Sequence, residues 1–113
     1  MKLTDLLIAY SRSVFKLNVL TFDTFDILFA VTHLRGFPKD ADGELYDLEN
    51  YGFIKITDNE IVFYCHGDWQ PPVEITIQAV GNMPQITNYR VLDHIENEIS
   101  EDMVYELLNL PKL

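Results

Sequence analysis

The chain has 113 residues, 18 acidic against 8 basic, for a formal net charge of −10, and 48% of it is hydrophobic. That hydrophobic share excludes a disordered chain, because disorder pairs high net charge with low hydrophobicity. The negative balance disfavours direct binding to nucleic-acid phosphates or to an anionic membrane, both of which need a cationic surface. The length fits one domain over 1–113, large enough for one hydrophobic core. The lone Cys65 excludes an internal disulfide framework and suits a reducing compartment, so the expected location is cytoplasmic. No apolar run approaches the ~18 residues of a membrane span, and the N-terminus lacks the pattern of a secretory signal.

Taken in chain order, Thr4 caps an expected helix running to about Leu17, with Leu3, Leu6, Leu7, Tyr10, Val14 and Leu17 on its main stripe. A second helix is expected over about Phe22 to Arg35, with Thr21, Asp23 or Thr24 as its cap. Phe25, Ile27, Leu28, Phe29, Ala30 and Val31 make it apolar all round, as in a buried central helix. A buried strand is the competing reading of that run; its length and the stop at Gly36-Phe37-Pro38 favour helix. A short acidic helix is expected from Asp40 or Asp42 to about Asn50, with Gly52 as the left-handed residue after it.

Ile54 and Ile56, then Ile61 and Phe63, flank the turn Thr57-Asp58-Asn59-Glu60 and predict a β-hairpin. Cys65 to Pro72 reads as a loop, and Val73, Ile75 and Ile77 alternate with polar residues as a third strand. After Gly81-Asn82-Met83-Pro84, a helix is expected from Thr87 to about Asn97, with Val91, Leu92 and Ile95 inward. Ser100 caps a last helix that would turn Met103, Val104, Leu107 and Leu108 to one face. The expected fold is α+β: N-terminal helices, a small antiparallel sheet with a β-hairpin, and C-terminal helices.

The charge is unevenly placed. Residues 1–39 hold five bases and three acids, a balance of +2, whereas residues 40–113 hold three bases and fifteen acids, a balance of −12. Asp40, Asp42, Glu44, Asp47 and Glu49 form one cluster without a base among them. Asp93, Glu96, Glu98, Glu101, Asp102 and Glu106 form another. Such clusters repel themselves unless a partner uses them; solvated helix faces are the plainer reading.

The stretch Glu44-Leu45-Tyr46-Asp47-Leu48-Glu49-Asn50-Tyr51-Gly52-Phe53-Ile54-Lys55-Ile56 resembles the end of a winged helix-turn-helix recognition helix and its step into the first wing strand. Thr57 to Phe63 would then be the wing. The likeness covers about residues 4–64 and implies a winged-helix arrangement with the third helix in the DNA major groove. The residues point the other way. Base reading uses Arg, Lys, Asn or Gln and phosphate contact uses cations, but this segment offers Asp42, Glu44, Asp47 and Glu49.

Chemistry finds little support. Cys65 and His66 are adjacent, so on a strand their side chains diverge and cannot form a nucleophile–base pair. Cys65, His66 and Asp68 lack a second Cys or His at zinc-like spacing. The scattered glycines make no phosphate cradle. No catalytic residue, metal site or cofactor is therefore expected. Trp69, beside Pro71-Pro72, is either a binding anchor or a cap on the open end of the sheet.

These readings converge on a non-enzymatic acidic protein-binding module for a basic, nucleic-acid-handling protein. An inhibitor or nucleic-acid mimic, of phage, mobile-element or immunity-protein type, is the concrete form. The expected partner-binding residues are Asp40, Asp42, Glu44, Asp47, Glu49, Glu96, Glu98, Glu101, Asp102 and Trp69. Two alternatives stand beside it: a winged-helix nucleic-acid-binding regulator, and a structural protein that assembles as a homodimer or larger oligomer.

Overall fold

Four consecutive extended segments build the frame: residues 73–78 alternate apolar with polar, and residues 61–65 are apolar throughout. In a computed structural model that describes residues 2–15 and 23–110, the strands are β1 (Asn50–Ile56), β2 (Glu60–His66), β3 (Val73–Val80) and β4 (Met83–Val91). They form one sheet in the order β1-β2-β3-β4, each strand antiparallel to its sequence neighbour. Among the described residues three helices accompany them: α1 (Leu3–Phe15), α2 (Thr24–Val31) and α3 (Glu101–Leu107). The architecture is therefore α+β, with N-terminal helices and one C-terminal helix. No helix of the described residues is long and apolar enough to cross a membrane.

The period of two along the strands decides which face is buried. Ile61, Phe63 and Cys65 of β2 and Val73, Ile75 and Ile77 of β3 are all fully buried on one face. Leu3 and Leu7 of α1, Ile27, Leu28 and Val31 of α2, and Val104 with Leu108 at α3 close over it in one apolar cluster. Each such side chain contributes about 1.5–3 kcal/mol through the apolar surface it removes from water. The opposite face is crossed by residues 92–99. This segment lines a concavity with Ile54, Glu74 and Arg90 and reaches the free edge of β1, where the Ile99 amide donates to the Phe53 carbonyl at 2.7 Å.

Several expectations need correction. In α1, Thr4 lies inside the helix and is buried rather than capping it. The innermost stripe is Leu3, Thr4, Leu7 and Ser11, and the Ser11 hydroxyl is satisfied by donating to the Leu7 carbonyl at 2.8 Å. Leu17, Thr21 and Phe22, named above, lie outside the described residues. Asp23 is the cap of α2, in a reciprocal box with Asp26. The helix is shorter than expected and not buried all round, since Phe25 and Phe29 are 42% and 41% exposed.

The helix expected over 40–50 does not form. Asp40 draws the chain into a tight turn instead: its carboxylate accepts from the backbone of Asp42 at 2.9 Å and of Glu44 at 3.0 Å. Gly43 supplies the positive φ of 81°, and Lys39 bridges to Leu45 across the turn. Asp47 does the same, accepting from the Glu49 amide at 3.0 Å. Short acidic side chains have here outcompeted the helical backbone pattern. The residues that carry the winged-helix resemblance thus run as turn, loop and strand, and Gly52 is a strand residue rather than a helix stop.

The hairpin at Thr57–Glu60 forms without a residue of positive φ, because the Thr57 hydroxyl accepts from the amides of Asn59 and Glu60. The helix expected over 87–97 is β4 followed by the irregular segment 92–99. A turn at Gly81-Asn82 sends the chain back along β3, and ladder pairing from Val80↔Met83 to Val73↔Val91 overrides the helical spacing of Val91, Leu92 and Ile95. Ser100 does cap α3, but only Val104 and Leu108 turn inward; Met103 and Leu107 stay 46% and 41% exposed.

Candidate functional site: an acidic concavity beside an apolar groove

The turn at 40–45, the segment 46–49 and the loop 67–70 meet at one end of the sheet. Gln70 joins them. Its amide nitrogen donates to Asp40 Oδ2 at 2.6 Å and to the Leu45 carbonyl at 3.2 Å. Its amide oxygen accepts from the backbone of Asp47 at 2.9 Å and of Gly67 at 2.8 Å. A side chain satisfied in this way fixes three chain segments at once. The Gln70 hydrogen bond, with those from the Glu44, Asp42 and Gly43 amides, also holds the Asp40 carboxyl below the ordinary carboxylate range.

Around this hub lies a shallow concavity of about 530 Å³ lined by Asp40, Asp42, Glu44, Leu45, Asp47, Glu49, Gly67, Asp68, Trp69 and Gln70. All five acids of the first cluster therefore converge on one surface, joined by Asp68, and no described lining residue is basic. They do so from a turn and a loop rather than from a helix face. Trp69 is 98% exposed, so it covers no part of the sheet, and the reading of it as a cap is overturned.

The second cluster is not brought together. Glu96 lies in the concavity lined by Glu74, Arg90 and His94, its carboxylate 2.7 Å from His94 Nε2. Glu98 leans over Gly52 against the Tyr64 ring; burial, followed by the charge of Glu98, raises the Tyr64 phenol above its ordinary value. Glu98 and Glu101 share the mouth of a small cavity with Thr24, Tyr51 and Val104. Asp102 stands in the first turn of α3. Glu98 and Glu101 thus share one cavity while Glu96 lies in another, so the four acids do not converge on a single surface.

A neighbouring groove of about 370 Å³ is lined by Phe25, Phe29, Thr32, Leu45, Tyr46, Asp47, Leu48 and Glu49. It shares Leu45, Asp47 and Glu49 with the acidic concavity. Sequence reasoning missed this neighbourhood, because phenylalanines in an all-apolar helix read as core. It missed Gln70 as well, since nothing about an amide before two prolines marks it as a hub.

Among the described residues, no three His, Cys, Asp or Glu side chains are grouped to hold a metal ion. Cys65 is fully buried; burial, with a smaller contribution from Asp47, pushes its thiol up to about 12. It is protonated at neutral pH and sealed from solvent, the opposite of a reactive thiolate. No protein-family model, curated protein or solved structure matches this chain.

Proposed function

We propose that this protein is a non-enzymatic acidic binding module whose concavity receives a basic surface of a nucleic-acid-handling protein, its carboxylates standing where phosphates would. One observation carries the reading: six carboxylates and a 98% exposed tryptophan converge on a concavity with no described basic residue in its lining. Like charges held this close on a small domain oppose its stability, so their arrangement is understandable if an electropositive partner neutralises them. Carboxylates there would steer a cationic partner over long range, and Trp69 would supply the apolar contact that charge alone does not.

The test uses an oligoarginine peptide and a short duplex DNA as probes, with Trp69 emission as the readout. The peptide is expected to bind with an affinity that falls steeply with salt, and the duplex not to bind. The variant Asp42→Asn/Glu44→Gln/Glu49→Gln/Asp68→Asn, which leaves Asp40 and Asp47 in place, is expected to weaken the peptide by about tenfold or more and to flatten the salt dependence. Tight binding of the duplex at moderate salt would sink the reading.

The assembly alternative is favoured by one observation of its own. β4 is an edge strand that leaves Met83, Tyr89 and Val91 each more than half exposed. A monomer by light scattering across the micromolar range would dismiss it.

A further inference from the structure

Phe25 and Phe29 are one turn apart on α2, and their rings stack at 6.1 Å between centroids. The row extends to Phe15 on one side at 5.7 Å and to Tyr51 on the other at 6.2 Å. Two of these rings, with the 48% exposed Leu45 across from them, leave more apolar surface in one place than isolated exposed side chains account for. We infer that this groove takes a basic amphipathic helix of a partner protein, with its apolar side chains on the phenylalanine row and its Lys or Arg side chains toward the acidic concavity. This deepens the proposed function and rests on it.

Two features specify the occupant. The first is spacing: the two rings that line the groove, Phe25 and Phe29, stand 6.1 Å apart, close to the ~5.4 Å pitch of an α-helix. A helix laid along this pair meets one ring on each of two successive turns with side chains at i and i+3 or i+4, and Leu45 faces it from across the groove. The second is charge. Leu45, Asp47 and Glu49 belong to both the groove and the concavity, so a helix seated on the apolar side has carboxylates along one flank. From Asp40 to Ile54 the chain carries no basic residue; Lys39, across the bridge from Leu45, and His33, whose ring meets Phe29 at 5.3 Å, stand at the edge of this region. An acidic or uncharged helix would fill the groove without using that flank, whereas a basic one gains both orientation and encounter rate. The interaction would then divide into a salt-sensitive part set by the acids and a salt-resistant part set by the rings.

The experiment uses two synthetic peptides of equal length and equal lysine content. In one, leucines recur at helical spacing; in the other every leucine is replaced by serine. Affinity is read from Trp69 emission and confirmed by calorimetry. The Lys–Leu peptide is expected to bind at least tenfold more tightly than the Lys–Ser peptide. That advantage should vanish in Phe25→Ser/Phe29→Ser, while the weaker Lys–Ser affinity is kept. Leu45→Ser, at an exposed position outside α2, is a second variant whose fold does not depend on the helix; it should reduce the advantage on its own. Circular dichroism confirms that each variant is folded. Equal affinity for the two peptides would overturn the inference while leaving the acidic reading standing, as would an advantage that survives in both variants. Self-association of the wild type abolished by the same substitutions would overturn it in favour of a second copy of this chain. Failure of both peptides to bind at low salt would overturn the acidic reading and this one together.

Discussion

Two side chains show how individual residues decide the local outcome. Gln70 makes four hydrogen bonds, three that join the 40–47 segment to the 67–70 loop and one within that loop, from the Gly67 amide. Gln70→Leu keeps the volume but leaves the Asp47 and Gly67 amides without their acceptor, which is expected to cost about 2 kcal/mol. Urea unfolding should show that loss, and backbone amide exchange at Asp47 and Gly67 should accelerate beyond it. Cys65 decides an alkaline response. Its thiol is raised from 9.0 to about 12 by burial, so the folded state holds a proton that the unfolded chain releases earlier. The stability this contributes is full below about pH 9 and is lost as pH rises toward about 12. Tyr10, Tyr46 and Tyr64 are also raised by burial and act in the same direction. Stability is therefore expected to fall with pH above about 9, and Cys65→Val should lessen the slope. A thiol reagent at neutral pH should leave the native protein unmodified and react once it is unfolded.

At the scale of the element, β1 is defined by what its glycine permits. A Cβ at Gly52 would stand 2.5 Å from the Tyr64 ring and would also meet the Glu98 carboxylate. The strand can therefore carry Tyr64 and the 95–99 segment against its outer face only if position 52 has no side chain. Gly52→Ala is expected to cost about 2 kcal/mol through overpacking, with a lower Tm. It should also bring faster amide exchange at Ile99, whose bond to Phe53 depends on that approach. Much of the sheet was legible in the sequence, since Ile75 and Ile77 alternate with polar residues, Ile61 to Phe63 is a short branched and aromatic run, and each borders a turn. The 40–50 segment was not. Its acids at helical spacing imitate a helix face, while Asp42-Gly43 marks a turn whose strength depends on how Asp40 bonds to the backbone. β4 was hidden for a different reason: Val91, Leu92 and Ile95 fit a helical wheel, and only the pairing with β3, a long-range fact, overrides it.

Across the whole molecule, the candidate site was half legible. The first acidic cluster and Trp69 are close in space as well as individually conspicuous, though 20 residues separate Glu49 from Trp69 along the chain. The second cluster looked equivalent on paper and is dispersed, because the chain from Leu92 to Ile99 crosses the sheet and spreads its acids over different surroundings. The aromatic row of α2 was invisible, since an apolar residue in a helix does not say whether its neighbours cover it. The order of the sheet has one more consequence. Because every strand pairs with the next in sequence, the β-meander can zip from short-range contacts, which favours rapid folding. α1 is in the opposite position: Leu3 and Leu7 are buried in the cluster that includes Ile75 and Ile77, and the Leu3 amide donates to the Asp58 carbonyl. During synthesis α1 must therefore wait, its leucines uncovered, until the strands that bury it have been made and released, which leaves this helix open to chaperone capture in the interval.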